Sequence, residues 1–200
     1  MIALGGAVAL AAGLAGATAQ DLPNAREAAK MLHKTGKSAT EVHILRPDLV
    51  PESYKIALQQ AAGVQKYFEA LAVSPTEGLL ASSGTQAINF HTAATAHAAA
   101  IYGCNKKKKA ASESCVVVAE FLPKGYNGPS GFSLSSNATE EFTGKYKRAW
   151  KSKAFAISPS TGNWGSAIKA ANPDEARILS LADCNAKPSG NGDCVVVSQD

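Results

Sequence analysis

The residues in this chain whose chemistry can be read from type and spacing are four cysteines, four histidines and a run of four lysines. The cysteines come as two near copies. Cys104-Asn105 precedes Cys115-Val116-Val117-Val118, and Cys184-Asn185 precedes Cys194-Val195-Val196-Val197. A thiol pair can close a disulfide, hold zinc or exchange electrons. Zinc and redox sites favour Cys-x-x-Cys knuckles, which this chain lacks, so the spacing fits local disulfides. Equivalent positions in two copies should do equivalent work, which pairs Cys104 with Cys115 and Cys184 with Cys194. Each bond closes a loop of about a dozen residues, worth roughly 3 kcal/mol in the chain-entropy account of disulfides.

The histidines are His33, His43, His91 and His97. His91 and His97 flank the start of a predicted helix six residues apart, off the three- or four-residue spacing that lets two helical side chains share a metal. His43 alternates with Val42 and Ile44, so it is expected on the solvent face of a strand. Ser74-Pro75 and Ser158-Pro159 recur without the flanking glycines of a nucleophile elbow and read as turn openers. No catalytic set, metal site or cofactor is expected from these spacings. The enzymatic alternative is a small hydrolase using His91 or His97 between two repeats.

Two further features fit a contact surface. Trp164 sits on a predicted hairpin, where an aromatic offers a large contact area at low entropic cost. Lys106, Lys107, Lys108 and Lys109 fall inside the first cysteine loop, either as a solvated tip or as a cationic finger for weak contact with an anionic surface. The net charge of +4 is modest, and no nucleic-acid partner is expected.

Compartment follows from the N-terminus and the cysteines together. With 46% hydrophobic and 18% charged residues the composition is that of a globular chain. Residues 2–16 are apolar and uncharged, and Ala17-Thr18-Ala19 offers a small-x-small cleavage site before Gln20. Residues 1–19 therefore read as a signal peptide, with a periplasmic or secreted mature chain starting at Gln20. The apolar run is short for a bilayer span of about twenty residues. It also lacks the basic start of a signal peptide, which points to a start further upstream.

The elements that must position these residues repeat as well. Ala70-Leu71-Ala72-Val73-Ser74-Pro75 matches Ala154-Phe155-Ala156-Ile157-Ser158-Pro159 at an offset of 84, and the cysteines match at 80 and 79. About four extra residues are therefore expected in the first copy, placed at 84–90. Asn24 caps a predicted helix that Gly36 ends. Each copy then reads as strand, helix, strand, strand, helix, strand, with strands at 41–46, 70–74, 79–82 and 115–122 in the first. In the second they fall at 132–134, 154–158, 164–168 and 194–198. Helices are predicted from Pro51 to about 65, over 93–103 and over 173–183, with one capped by Asn137 and Glu140 and running to about 150.

This predicts an α+β protein of two tandem β-α-β-β-α-β units of ferredoxin-like topology, with mainly antiparallel sheets and one disulfide each. The domains are an N-terminal helix at 20–39, repeats at 40–123 and 129–200, and a linker at 124–128. The valine triplets are apolar on both sides, so the two sheets are expected to cover one another or to merge into one.

The stretch Ala154-Phe155-Ala156-Ile157-Ser158-Pro159-Ser160-Thr161-Gly162-Asn163-Trp164-Gly165, followed by Glu175-Ala176, Cys184 and Cys194-Val195-Val196-Val197, carries a resemblance. It resembles a bacterial domain family of unknown function found mostly in exported proteins. The likeness covers 153–199 closely and 68–120 loosely, the first copy lacking the tryptophan. The chain is also similar to small alphaproteobacterial exported proteins that carry the label 5-aminolevulinate synthase. A pyridoxal-phosphate enzyme needs a cofactor lysine in a large domain with a phosphate cradle. This chain shows neither a Gly-rich phosphate loop nor room beside its repeats, so the sequence does not support that label. The expectation is a non-enzymatic exported protein that binds an envelope or extracellular partner.

Overall fold

Asn24 opens helix α1 (Ala25–Met31) by accepting the amides of Arg26 and Glu27, while the Glu27 carboxylate accepts the amide of Asn24. This reciprocal cap satisfies donors that a helix start leaves orphaned. The computed structural model describes residues 22–188 and 190–200. The predicted signal peptide and the start at Gln20 lie outside the described residues.

The first unit contains β1 (Thr40–Ile44), α2 (Glu52–Ala62), β2 (Glu69–Val73), β3 (Thr85–Ala87), α3 (Ala93–Lys107) and β4 (Val116–Pro123). Its sheet runs β1-β4-β2-β3, each neighbour antiparallel. Strand alternation then assigns the two faces. Ala70, Ala72, Ala87 and Val117 meet Ala96 and Ala100 of α3, small residues that let helix and sheet approach closely. Val73, Val116 and Val118 meet Val50 and Leu58 on the other face.

The second unit contains α4 (Ser136–Glu141), a π-helical turn (Phe142–Tyr146), β5 (Ser152–Ile157), β6 (Trp164–Ala170), α5 (Pro173–Asn185) and β7 (Val195–Gln199). Its antiparallel sheet runs β6-β5-β7. Ala154, Ala167 and Val196 pack with Ala176 of α5. Phe155, Ile157, Trp164 and Val197 pack with Phe142 and Tyr146, and with Ala25 and Ala28 of α1. The wider π turn keeps Phe142 and Tyr146, four residues apart, on one inward face.

The α+β class, the antiparallel sheets and one disulfide in each unit are as the sequence indicates. Cys104 joins Cys115 with Cα atoms 6.0 Å apart, and Cys184 joins Cys194 at 6.2 Å. The element order of the first unit also holds. With every neighbouring pair antiparallel, β1 and β2 run parallel with β4 between them and β3 and β4 run parallel with β2 between them, so the crossovers through α2 and α3 are both split β-α-β units.

Other expectations are corrected. The sheets neither cover one another nor merge; each has helices on both faces, which is why the valines of β4 and β7 are apolar on both sides. Residues 132–134 form no strand. Pro129 and Gly131 precede them, and the backbone that follows is committed to the first unit, where the Ser135 amide bonds the His91 ring. The partner of β2 is β3 rather than 79–82, a segment that forms turns. Ala72 pairs with Thr85 and Ala156 with Gly165, so the offset is already 165 − 85 = 80 at β3. The extra residues of the first copy thus lie before β3, not at 84–90. Ser135, not Asn137, caps α4; the amide of Asn137 goes instead to the Asn89 side chain. Finally, α1 completes the core of the second unit although the chain enters the first unit next.

Candidate functional site

The histidine expected at the interface of the repeats is there, and it is fully engaged. His91 is 2% exposed. Its Nδ1 accepts the Ser135 amide at 3.0 Å, which leaves the ring hydrogen on Nε2 to be donated to the Asn163 carbonyl at 2.8 Å. Burial pulls its pKa down to about 4 against a smaller opposing effect of the Asn163 bond, so the ring is neutral. The surrounding seam is built the same way. Ser133 Oγ donates to the His91 carbonyl at 2.7 Å, and Tyr67 Oη donates to Thr139 Oγ1 at 3.0 Å. Gly162 passes so close to the Asn89 carbonyl that a Cβ there would collide with it. His91 is a strut between the units.

His97 does not join it. From α3 its Nε2 meets Glu120 Oε2 of β4 at 2.7 Å, with 30% of the histidine side chain and 13% of the glutamate exposed. Among the described residues no hydroxyl or thiol bonds to His97, and no group of three His, Cys, Asp or Glu is placed to hold a metal. His43 lies on the exposed face of β1, beside Glu41 at 3.3 Å. The hydrolase reading therefore gains no assembled nucleophile and base from this arrangement.

The residues expected to form a contact surface are largely occupied. Trp164 stacks on Phe155 with ring centres 5.6 Å apart, and Lys187 lies over its face at 5.5 Å. Lys106 and Lys107 end α3, where their charge suits the helix C-terminus. Lys106 covers the Tyr102 ring at 4.7 Å, Lys107 donates to Thr85 Oγ1 at 3.2 Å, and Lys108 donates to the Ser112 carbonyl at 2.7 Å. Lys109 is exposed at the tip, its amide bonded to Glu77.

Sequence reasoning missed two buried charged side chains. Glu69 is 1% exposed; burial lifts its pKa to about 7, against the bond from Gln86. Lys153 is 6% exposed and donates to the Ala149 carbonyl at 2.8 Å, with Asp200 Oδ2 at 3.4 Å. Asp200 also accepts the Ala25 amide at 3.1 Å, tying α1 to the end of β7. No sequence signal marks either group: Glu69 is buried by the tertiary packing around β2, and Lys153 is held by the nearby carbonyls of Lys147 and Ala149 together with the distant Asp200.

The feature with the clearest capacity to bind is an open sheet edge. In the first unit Glu120 of β4 stands opposite His43 of β1, in a ladder whose bonds include the Leu45 amide to the Val118 carbonyl at 2.9 Å. Alternation makes His43 and Glu120 a hydrogen-bonded pair. The counterpart of Glu120 is Gln199, since Ala70 pairs with Glu120 and Ala154 with Gln199. Lys153 and Asp200 exchange both backbone bonds at 3.0 Å. The next residue, Gln199, therefore turns its N–H and C=O away from β5, and among the described residues no strand meets them. Alongside runs a cleft of about 810 Å3 lined by Leu22, Pro23, Met31, Phe132, Val195 and Val197 among others.

Comparison of the chain with family models, curated proteins and solved structures finds no match.

Proposed function

We propose that this chain is an exported, disulfide-stabilised binding protein that takes an extended segment of an envelope or extracellular partner along the outer edge of β7. The observation that carries the reading is the missing strand. One unit covers the outer edge of its closing strand with β1; in the other, no strand among the described residues covers the equivalent edge, which lies beside an apolar cleft. An added strand would gain main-chain hydrogen bonds from the edge and side-chain specificity from the cleft, which is the physics of β-augmentation. The two disulfides fit an oxidising compartment, and a periplasmic or secreted location is part of the proposal.

The test is capture from envelope extract by the oxidised protein and by a Val195→Lys variant. Val195 is 46% exposed, so the change leaves the core intact while placing a charge on the edge. The proposal expects a partner retained by the native protein and lost with the lysine. Equal capture by both, or none by either, overturns it. Mass measurement on the exported protein tests compartment separately: a chain starting at Gln20 and four hydrogens lighter than its reduced form is expected, and four freely reacting thiols would contradict it.

A further inference from the structure

A second cleft, of about 470 Å3, lies between the segment that follows α1 and the end of β4. Its lining includes His33, Lys34, Lys37 and Lys124. The three ammonium groups form no ion pair among the described residues, and the nearby acids are already engaged. Glu140 pairs with Lys66 at 3.3 Å, and Glu41 lies beside His43 while accepting the Gly125 amide at 3.2 Å. Three like charges around one small concavity repel one another unless an anion lies between them.

The wall of the cleft is held in place. The His33 ring packs against Tyr67, Phe68 and Tyr126, with ring centres 6.1, 6.0 and 5.6 Å away. Its Nε2 is buried without a hydrogen-bond partner, a polar group left over by the fold itself. Burial also holds the His33 pKa below its ordinary value, so at neutral pH the charge of the site comes from the lysines. The volume suits a small molecule or a headgroup. Lysine ammoniums are compact point charges, and three of them match an oxyanion with several peripheral oxygens better than a two-oxygen carboxylate.

We infer that this cleft binds a phosphate group, carried by a small soluble phosphate monoester or by a lipid headgroup. The site is distinct from the β7 edge and stands or falls independently of it.

The experiment titrates the oxidised protein with inorganic phosphate, with glycerol phosphate, and with phosphatidylcholine vesicles containing phosphatidylglycerol. The readouts are the His33 ring and Lys124 amide resonances for the soluble probes and co-sedimentation for the vesicles. Saturable binding that weakens with added salt is expected. The triple variant Lys34→Gln, Lys37→Gln, Lys124→Gln should raise Kd about tenfold or more, a shift that stands clear of titration error. Lys106→Gln with Lys109→Gln should leave it unchanged. All three cleft lysines are exposed, so the triple variant keeps its fold, and unchanged amide dispersion verifies this. Binding of soluble phosphate assigns the free monoester, and binding of vesicles alone assigns the headgroup. No saturable binding to any probe, or equal weakening by the two variants, overturns the inference.

Discussion

The two units solve one packing problem with different parts. Both place alanines of the middle strand against a disulfide-tethered helix and larger residues on the opposite face. In the first unit that opposite face is aliphatic and closed by α2, and the sheet is extended by β1. In the second it is aromatic, with Phe132, Phe142, Tyr146 and Phe155 buried together, and it is closed by α1 from the far end of the chain. The difference shows that the repeat conserves the strand-strand-helix-strand frame while leaving its completion free. An incomplete sheet edge in the second unit is the result.

Small details are exchanged across the frame in the same reciprocal way. Where strand meets helix, the first copy has Thr85 beside Gly103, and the second has Gly165 beside α5. A Cβ on Gly103 would press on the Thr85 side chain, its methyl at 2.7 Å, whereas one on Gly165 would collide with the backbone of Ser180 and Cys184. Gly165→Ala should therefore destabilise the protein by about 4 kcal/mol or more, beyond ordinary overpacking because backbone cannot rotate away. Gly103→Ala should change stability by about 1 kcal/mol or less, since the gain in helix propensity offsets a yielding contact. Denaturant unfolding of the two variants checks the exchange; equal losses would break it.

The disulfides give the next largest effect. Replacing either pair with alanine should cost about 2 to 5 kcal/mol. The second pair should show more local fraying, because among the described residues β7 has β5 as its one strand neighbour, whereas β4 is held between β1 and β2. Equal amide protection of β4 and β7 after removal would contradict the asymmetry, and a peptide linking Cys104 to Cys184 would contradict the pairing.

The seam between the units should be visible in pH dependence. His91 has its folded pKa lowered from 6.5 to about 4, so the unfolded chain binds the extra proton and stability falls as pH drops from about 6.5 towards 4. Glu69, raised from 4.5 to about 7, acts oppositely: its contribution is present below 4.5 and lost as pH rises through about 7. Glu69→Gln should thus uncover a loss on the order of 2 kcal/mol between pH 7.5 and 4.5. Adding His91→Asn should flatten that slope. A slope unchanged by the histidine substitution would remove His91 from the seam's energetics.

The smallest effects concern the acid that ties each strand-to-strand loop to its cysteine loop. In the first unit Glu77, on the strand loop, accepts Ser112 Oγ, Ser83 Oγ and the Lys109 amide, which hold its pKa at about 2. In the second, Asp193 on the cysteine loop accepts Ser158 Oγ and the Ser160 amide; burial raises its pKa, but these bonds prevail and keep it lowered. Glu77→Gln should loosen only the first cysteine loop, and Asp193→Asn only the second, seen as faster local amide exchange. The contribution of Glu77 should persist above pH 4.5 and fade as pH falls towards 2.

Much of this frame is legible in the sequence. Alternation marked the edge strand β1, the repeated apolar runs marked β2, β4, β5 and β7, Asn24, Thr92 and Asn172 cap their helices as side-chain chemistry dictates, and duplication supplied the disulfide pairing. What was not legible depends on contacts between distant segments. Phe132 and Leu134 look like a strand by pattern, yet the bonds of Ser133 and Ser135 to His91 draw that stretch elsewhere. The lysine run Lys106–Lys109 is conspicuous in sequence but mostly engaged in the fold. The cleft lysines, by contrast, come from 34, 37 and 124 and are joined only when β4 returns beside the end of α1.

The central claim is that the outer edge of β7 is open where that of β4 is covered, and that a partner strand occupies it. Hydrogen exchange at two equivalent amides, Glu120 and Gln199, measured in the isolated protein and in the complex captured from envelope extract, tests this most directly. The account predicts slow exchange at Glu120 in both states, and fast exchange at Gln199 that becomes slow in the complex. Slow exchange at Gln199 in the isolated protein, or fast exchange there in both states, would contradict it.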